Sequence, residues 1–361
     1  MLHLHSISLV QFKNYADSTF DFRKRVIGIC GPNGKGKTNL LDAIYYLCFT
    51  KSYFTRADVQ NAQLGMQGFR IEGNFTRNGE TLKAICIFRE NGKKEFTVND
   101  DLYEKFAHHI GKFPCVIIAP DDVQIITAGS EERRRFMDVL LCQLDQLYLQ
   151  HLIDYSRVLL QRNSYLRQLK EMQKHDPELL GVYDHQLILH GEYVFNKRKL
   201  FLEEFLQQVT SFYHRIAGIH ETLEIVYESQ LLEENYEELM RRMHDRDLYL
   251  QRTHGGIHKD ELQIRLKDQP FKSIGSQGQR KSLLFALKLA EFEVLKKAKG
   301  FPPLLLLDDV FEKLDEQRMH HLLHWVCLQN EGQIFITDTH SERIKSHFSA
   351  LDLSYELIVL S

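Results

Sequence analysis

The stretch that decides the fold of this chain is Gly31-Pro32-Asn33-Gly34-Lys35-Gly36-Lys37-Thr38. It matches the pattern G-x-x-x-x-G-K-[ST], in which the backbone N–H groups of a glycine-rich loop surround phosphate oxygens. An apolar run at residues 26–30 precedes the loop, and a helical sequence at residues 39–49 follows it. A strand, a glycine-rich loop and a helix in this order predict a nucleotide-binding α/β domain, and a chance match by a glycine-rich turn is the alternative.

The side chains of this loop have separate predicted tasks. We expect Lys37 to reach the β and γ phosphates and Thr38 to place its hydroxyl on Mg²⁺. The N-terminus of the following helix adds a partial positive charge. The predicted ATP-binding residues here are Gly31, Pro32, Asn33, Gly34, Lys35, Gly36, Lys37, Thr38 and Asn39.

Two adjacent carboxylates follow an apolar run near the end of the chain. Residues 304–307 are all leucine and lead directly into Asp308 and Asp309. A buried parallel strand would deliver Asp308 to a metal at the edge of the sheet, and Asp309 could then orient or deprotonate the attacking water. An apolar run followed by acids is also a common strand end, so this prediction depends on the glycine-rich loop.

A third motif, Ser276-Gln277-Gly278-Gln279-Arg280, stands directly before a long helical stretch. Small residues with a free hydroxyl and backbone amides at a helix N-terminus form an anion site. The alternative is a plain helix cap, in which Ser276 satisfies the first turn.

Composition limits the class of protein. The chain has 361 residues, 43% of them hydrophobic, enough for a sizeable core and more than one packing unit. Its six cysteines are scattered without a C-x-x-C pair, which favours a reduced, metal-free interior. It shows no signal-peptide pattern and no apolar run near the ~18 residues of a membrane span, which predicts a cytoplasmic protein with no membrane partner. The net charge of −3 neither suggests nor excludes nucleic acid.

Both ends of the chain have α/β character, and the middle is helical. Between residues 69 and 98, strand-like stretches separated by Asn78-Gly79 and Asn91-Gly92 predict an antiparallel β meander with tight turns. From about Arg133 to about Arg252 the sequence is helical, and a βα alternation then returns. We therefore predict an N-terminal part of the head at residues 1–135, an inserted helical arm domain at 136–252 and a C-terminal part of the head at 253–361.

The predicted arm contains a short seam of the coiled-coil type. Its members recur at alternating four- and three-residue steps: Tyr148, Leu152, Tyr155, Leu159, Arg162, Leu166 and Leu169. A second helical stretch, from Leu179 to about Ile216, would fold back on the first as an antiparallel hairpin. An ordinary helical bundle without a projecting arm is the alternative.

The motif order resembles the ABC-type ATPases of chromosome maintenance and repair, which include the SMC proteins and the RecF family. The S-x-G-Q sequence looks like the ABC signature motif, and in this group a helical insertion separates Walker A from the signature and Walker B. The resemblance to the RecF family covers essentially the whole chain. It is carried by LVQFKNY at residues 9–15, GPNGKGKTNLLDAIYYL at 31–47, TKSYFTR at 50–56, IAPDDVQIITAGSEERRRFMD at 118–138, HKDEL at 258–262, SQGQRKS at 276–282 and LLLLDDVFEKLD at 304–315.

This resemblance implies an α/β fold, with a P-loop ABC-type ATPase head, an antiparallel β meander and an inserted coiled-coil-like arm. The implied function is a slow, DNA-stimulated ATPase of recombinational repair and replication-fork maintenance. Such a protein dimerises on ATP, binds gapped or junction DNA without sequence preference and assists recombinase loading with RecO and RecR. Lys37, Ser276 and Asp309 are then the implied catalytic residues, with Ser276 capping the γ-phosphate of ATP held by the other subunit.

The resemblance also implies roles outside the three main motifs. Thr38 and Asp308 would hold Mg²⁺, and Asp309 stands where most ABC ATPases have glutamate, whose longer side chain would position water better. The remaining implied assignments are Lys13 and Asn14 near the nucleotide base, Gln279 beside the signature serine, His340 as the switch histidine, Asp122 or Gln124 in the Q-loop, and Glu312 to Asp315 as the D-loop that bridges the dimer.

DNA contact is expected from a local basic patch made of Lys51, Arg56, Arg133, Arg134 and Arg135. Such contacts would go to phosphates and would be sensitive to salt. Alternatively, the arginines form a solvated helix face or pair with neighbouring acids.

Two further functions use the same nucleotide motifs: the nucleotide-binding subunit of a membrane transporter, and a scaffold that binds ATP only to dimerise. The long helical insertion argues against the first, and the presence of both Asp308 and Asp309 argues against the second.

Overall fold

The computed structural model describes residues 1–172, 177–218, 221–310 and 316–361. The chain forms two units. The first contains Met1–Val123, Ser211–His220 and Ser276–Ser361, and the second contains Gln124–Thr210 and Glu221–Gly275. Both ends of the chain thus build the first unit. The boundaries of the predicted arm domain, at residues 136 and 252, stay predictions.

A five-stranded parallel sheet carries the nucleotide-binding motifs of the first unit. Its strands, in spatial order, are β14 (Tyr355–Val359), β3 (Val26–Cys30), β13 (Ile334–Asp338), β12 (Leu304–Leu307) and β8 (Cys115–Ile118). All residues of β3, β8, β12 and β13 are buried, as expected for parallel strands covered on both faces. This order brings the carboxyl ends of β3, β13 and β12 together at one edge of the sheet.

An antiparallel sheet of six strands forms the rest of the β structure in this unit. Its strands, in spatial order, are β2 (Tyr15–Asp21), β1 (Leu2–Phe12), β4 (Phe69–Arg77), β5 (Glu80–Phe88), β6 (Lys94–Val98) and β7 (Asp101–Leu102). The predicted meander is therefore confirmed, and Asn78 and Gly79 have the positive φ angles that a tight hairpin turn requires. The meander pairs with β1, and so belongs to a sheet separate from the one that carries the P-loop.

The helices of the first unit follow the motifs found in the sequence. They are α1 (Lys37–Phe49), α8 (Gln277–Lys299), α9 (Glu316–Leu328) and α10 (Ser341–Ala350). Helix α1 begins at the P-loop lysine, and α8 begins directly after Ser276. Helix α1 is buried along most of its length, and α8 is buried from Ser282 to Phe292.

The second unit is mainly helical. Its helices are α2 (Gln124–Thr127), α3 (Ser130–Leu144), α4 (Gln146–Met172), α5 (Pro177–Ala217, whose last residues belong to the first unit), α6 (Tyr236–Leu250) and α7 (Phe271–Ile274). Its antiparallel sheet has the order β11 (Gln269–Pro270), β10 (Glu261–Leu266) and β9 (Leu223–Glu228). Strand β9 corrects the prediction of continuous helical character to Arg252, because its residues pair with β10.

Helices α4 and α5 pack against each other in antiparallel directions, as the seam predicts. In the second half of α4, Arg162 pairs with Asp184 near the start of α5. Near the start of α4, Tyr148 accepts a hydrogen bond from Arg198, which lies further along α5. The two helices therefore run in opposite directions. Arg162 is a buried member of the seam, and Asp247 of α6 supplies a second carboxylate 2.7 Å from its guanidinium. Within the described ranges, no helix combines the length and apolarity needed to cross a bilayer.

Candidate nucleotide-binding site

The P-loop joins β3 to α1 with a backbone that only glycine permits at its last turn. Gly36 has φ 102°, and a Cβ added there would approach the Asn14 side chain to 2.5 Å and the Tyr15 hydroxyl to 2.8 Å. An L-residue would therefore be strained and would collide with two side chains. Pro32, Asn33, Gly34 and Lys35 are exposed, while Gly31 and Gly36 are buried at the two ends of the loop.

Lys37 is folded over the loop that precedes it. Its ammonium donates to the Gly31 carbonyl at 2.8 Å and to the Pro32 carbonyl at 3.2 Å. Only 5% of the residue is exposed. The positive charge is thus held beside the loop by two carbonyl oxygens.

Thr38 and Asp308 meet at the carboxyl edge of the parallel sheet. The Thr38 hydroxyl lies 3.0 Å from both carboxylate oxygens of Asp308. Thr337, the fourth residue of β13, donates its own hydroxyl to Asp308 at 2.8 Å and accepts the Asp309 backbone N–H at 2.9 Å. Burial, together with the nearby Asp309, raises the pKa of Asp308 to about 6 against the opposing hydrogen bond from Thr337.

Asp309 has an unusual backbone for a residue with a side chain. Its φ is 46°, in the left-handed region that few residues other than glycine, asparagine and aspartate adopt. The hydrogen bond from its N–H to Thr337 supports this conformation. The turn gives Asp308 and Asp309 different environments, because Asp308 is buried whereas Asp309 is partly exposed.

The residues that follow β1 form hydrogen bonds with the end of the P-loop. The Asn14 amide donates to the Lys35 carbonyl at 3.2 Å, and the Asn39 amide donates to Asn14 at 2.7 Å. The Tyr15 hydroxyl donates to the Gly36 carbonyl at 3.0 Å. Asn14 and Asn39 thus lie beside the P-loop, and Lys13 is paired with the α1 carboxylate Asp42. Contact of these residues with a nucleotide stays a prediction.

Sequence reasoning missed two residues of this site, Tyr15 and Thr337. Tyr15 ends the motif at residues 9–15, so its position next to a family-like segment was an available signal. Thr337 stands inside a buried apolar strand, where a hydroxyl needs a partner, and its partners are Asp308 and Asp309. Only the sheet order reveals those partners.

Ser276 caps helix α8. Its hydroxyl accepts the Gln279 N–H at 3.2 Å, and the Gln279 side chain accepts the Ser276 N–H at 2.7 Å, which makes a capping box. Ser276 is exposed. The capping interpretation is therefore confirmed, and the proposed contact with a phosphate of another subunit stays a prediction.

Three other predicted positions have distinct surroundings. His340 is exposed, and its backbone N–H donates to Asp338 at 2.6 Å. Asp122 is buried and accepts the Tyr53 hydroxyl, whereas Gln124 is exposed at the start of α2. The predicted D-loop, residues 312–315, lies outside the described residues.

The predicted DNA-contacting residues differ in how far they are exposed to solvent. Arg133 is buried and forms a bidentate ion pair with Glu261, in which two guanidinium nitrogens lie 2.6 and 2.8 Å from the two carboxylate oxygens. Arg134 donates to the Asp260 carbonyl at 2.7 Å. Arg135 is exposed and 4.0 Å from Glu132, and Lys51 and Arg56 are also exposed.

The fold and the site together define a P-loop ATPase head of the ABC type. The RecF/RecN/SMC N terminal domain model matches residues 3–355. The chain is 42% identical over 359 residues to DNA replication and repair protein RecF of Flavobacterium johnsoniae, covering 99% of this chain and 100% of that protein. It is 38% identical to the RecF protein of Cytophaga hutchinsonii, covering 99% and 95% of the two chains. The chain belongs to the RecF family of DNA replication and repair proteins.

Solved structures agree with this membership. The structure of the recombination mediator protein RecF with ATP in the RecFOR pathway is 29% identical to this chain, with a TM-score of 0.86, and covers 94% of this chain and 92% of that one. An Smc head domain from Pyrococcus furiosus is 14% identical, with a TM-score of 0.56, and covers 96% and 92% of the two chains, a likeness of fold alone. The family is an ATP-binding, SMC-like group of ABC ATPases, which leaves the transporter alternative without support.

Proposed function

We propose that this chain is an ATP-driven DNA clamp of recombinational repair and replication-fork maintenance in the cytoplasm. Two copies close on ATP, hold gapped or junction DNA and assist recombinase loading together with RecO and RecR. ATP hydrolysis, slow and stimulated by DNA, then releases the clamp. The observation that carries this proposal is the contact of Thr38 with Asp308 beside Lys37, which brings the P-loop and the acidic strand end into one site.

The chemistry of the donor set fits Mg²⁺. A hydroxyl and a carboxylate, both oxygen donors, already lie within 3.0 Å of each other at Thr38 and Asp308. Mg²⁺ prefers such oxygen ligands and would offset the negative charge of the phosphates. Thr337 orients Asp308 through its own hydrogen bond, as outer residues commonly do for a metal-holding carboxylate.

Asp309 is the residue we assign to the attacking water. It follows the metal-holding carboxylate directly, is partly exposed and is held in a left-handed turn by Thr337. Aspartate is one methylene shorter than glutamate, so its carboxylate reaches less far towards a water molecule. This difference supports slow turnover.

Dimerisation is supported by the exposed signature serine. Ser276 presents its hydroxyl at the N-terminus of the long helix α8, where backbone N–H groups and the helix dipole favour an anion. In our proposal, Ser276 and Gln279 meet the γ-phosphate of ATP bound to the second copy. The two sites are then complete only in the dimer.

For DNA we propose Arg135, Lys51 and Arg56 as phosphate contacts. Each of these side chains is exposed. We leave Arg133 and Arg134 out, because Arg133 is buried and Arg134 is only partly exposed. Contacts of this kind position DNA without reading its sequence.

Analytical ultracentrifugation of the full chain tests the proposal. We expect a dimer when ATP and Mg²⁺ are present, and we expect that dimer to retain a gapped duplex. The retention should fall when salt is raised from about 50 to about 200 mM, because phosphate contacts release counterions. A protein that stays monomeric and ignores DNA under all of these conditions contradicts the clamp. A dimer that forms with ATP but shows no phosphate release would favour the ATP-gated scaffold instead.

A further inference from the structure

A series of buried polar contacts in the first unit starts at the P-loop helix. Asp42 of α1 is fully buried, and its Oδ2 lies 2.5 Å from the ammonium of Lys13. The Ser52 hydroxyl donates to the same oxygen at 2.6 Å, and the Tyr53 backbone N–H donates to Oδ1 at 2.7 Å. One carboxylate of α1 therefore fixes the segment that carries Tyr53.

The series continues from Tyr53 to helix α8. The Tyr53 hydroxyl donates to Oδ1 of Asp122, and Oδ2 of Asp122 accepts the Ala119 N–H at 2.9 Å. Lys288 of α8 places its ammonium 3.9 Å from Asp122 and 3.5 Å from Glu291. Asp122 is thus held from one side by Tyr53 and from the other by the helix that follows Ser276.

The charges of this series are unusual for a protein interior. Lys288, Glu291 and Asp122 are 5%, 3% and 7% exposed. Burial raises the pKa of Glu291 to about 7. Burial alone would lower the pKa of Lys288, but the carboxylates of Glu291 and Asp122 raise it. Apolar residues of similar volume often stabilise a core as well as buried ion pairs do, which favours a geometric task for these side chains.

We propose that Tyr53, Asp122 and Lys288 are positioning residues that couple nucleotide binding at the P-loop to the orientation of α8, and so to the placement of Ser276. Lys288 lies twelve positions after Ser276 on one uninterrupted helix, about 18 Å along its axis. A displacement of α1 moves Asp42 and, with it, Tyr53. The hydrogen bond from Tyr53 to Asp122 and the ion pair between Asp122 and Lys288 then transmit the displacement to α8. This inference rests on the proposed ATP-dependent dimerisation.

The test uses two variants of the full chain. Tyr53→Phe removes only the hydroxyl that donates to Asp122, and Lys288→Met removes the charge but keeps a long side chain with good helix propensity. Three quantities are measured for each: the affinity of the single chain for a fluorescent ATP analogue, the Kd of the ATP-dependent dimer, and kcat and KM for ATP hydrolysis. The double variant completes a mutant cycle.

The structure offers a matched control in the same unit. Tyr46 of α1 donates its hydroxyl to Asp58, and Lys94 lies 2.7 Å from the same carboxylate. This second set has the same three residue types, but it joins α1 to β6. Tyr46→Phe and Lys94→Met therefore remove equivalent groups without touching the link to α8.

For Tyr53→Phe we expect ATP affinity of the single chain to change less than about twofold, while the dimer Kd rises and kcat falls about tenfold, a size typical of coupling between sites. Tyr46→Phe and Lys94→Met should leave the dimer Kd unchanged, and the effects of Tyr53→Phe and Lys288→Met should be non-additive.

Equal effects of Tyr53→Phe and Tyr46→Phe on the dimer, or a change confined to the unfolding temperature, would overturn the coupling and leave the proposed function intact. A wild-type protein that neither dimerises nor hydrolyses ATP overturns both.

Discussion

The Thr38 hydroxyl lies 3.0 Å from each carboxylate oxygen of Asp308, although 270 positions separate the two residues in the chain. The contact exists because β13 lies between β3 and β12 in the parallel sheet and pairs with both. Thr337 of that middle strand donates to the same carboxylate at 2.8 Å. The fold thus brings the P-loop, the acidic strand end and the strand between them into one site.

Lys37→Ala should weaken ATP binding about 10- to 150-fold, since hydrogen bonds to charged groups are worth about 1.5–3 kcal/mol. Isothermal titration calorimetry measures the change. Lys35→Ala, on the exposed part of the same loop, is the control and should change affinity much less. Equal losses in the two variants would contradict the assignment of Lys37.

Asp309→Asn should trap an ATP-bound dimer, because the amide cannot accept a proton from water while Asp308 still holds its place beside Thr38. Sedimentation velocity with saturating ATP and Mg²⁺ detects the trapped species. Asp308→Asn should instead lose the Mg²⁺ dependence of nucleotide binding. If Asp309→Asn remained monomeric, both the role of Asp309 and the clamp would be refuted.

Ser276→Asp separates the capping role of Ser276 from its proposed role at a partner's γ-phosphate. Aspartate is as good a helix N-cap as serine, so the free energy of unfolding should change by less than about 0.5 kcal/mol. Its negative charge would repel a partner's γ-phosphate, and the ATP-dependent dimer should be lost. Asn235→Asp, at the N-cap of α6, is the matched control and should dimerise normally. A dimer that tolerates Ser276→Asp would leave Ser276 with a capping role alone.

His109 should make the first unit sensitive to acid. Burial lowers the pKa of His109 to about 4, against a hydrogen bond with the Leu47 carbonyl that raises it. Between pH 6.5 and 4 the unfolded chain binds a proton that the folded chain does not, so stability falls as pH falls. From pH 7 to 5 this one group should cost about 2 kcal/mol.

The variant His109→Gln keeps a side-chain donor for Leu47 and removes the titration. Urea unfolding at pH 7 and pH 5 gives the comparison, and the variant should lose correspondingly less stability than wild type on acidification. Parallel losses in the two proteins would show that other groups cause the acid sensitivity.

Arg133→Ala should affect the stability of the protein, whereas Arg135→Ala should affect DNA binding. Arg133→Ala leaves Glu261 without its guanidinium partner and should lower the free energy of unfolding by about 2–3 kcal/mol, less than for a fully buried pair because Glu261 is partly exposed. Arg135→Ala should preserve stability and reduce the salt dependence of DNA binding by roughly one counterion per contact. Filter binding at several salt concentrations measures this slope, and an unchanged slope would remove Arg135 from the DNA surface.

Much of the candidate site could be predicted from the amino-acid sequence alone. The P-loop, the acidic strand end and the cap at Ser276 are local patterns, since each depends on residues within one strand, loop or helix turn. The same holds for the hairpin turn at Asn78-Gly79. The strand Leu223–Glu228 was missed because its partner strand begins at Glu261, so its pairing is not visible in a local pattern.

The sequence by itself determined which side chains are suited to phosphate, metal and capping chemistry, because those tasks need particular side chains at fixed short spacings. Only the tertiary structure decided which of them meet. Strand order brought Thr337 to Asp308, burial engaged Arg133 with Glu261, and the packing of α8 joined Lys288 to Asp122 and Tyr53. These are contacts between residues far apart in the chain, and such contacts are fixed by the burial of strands and helices against one another rather than by any local pattern.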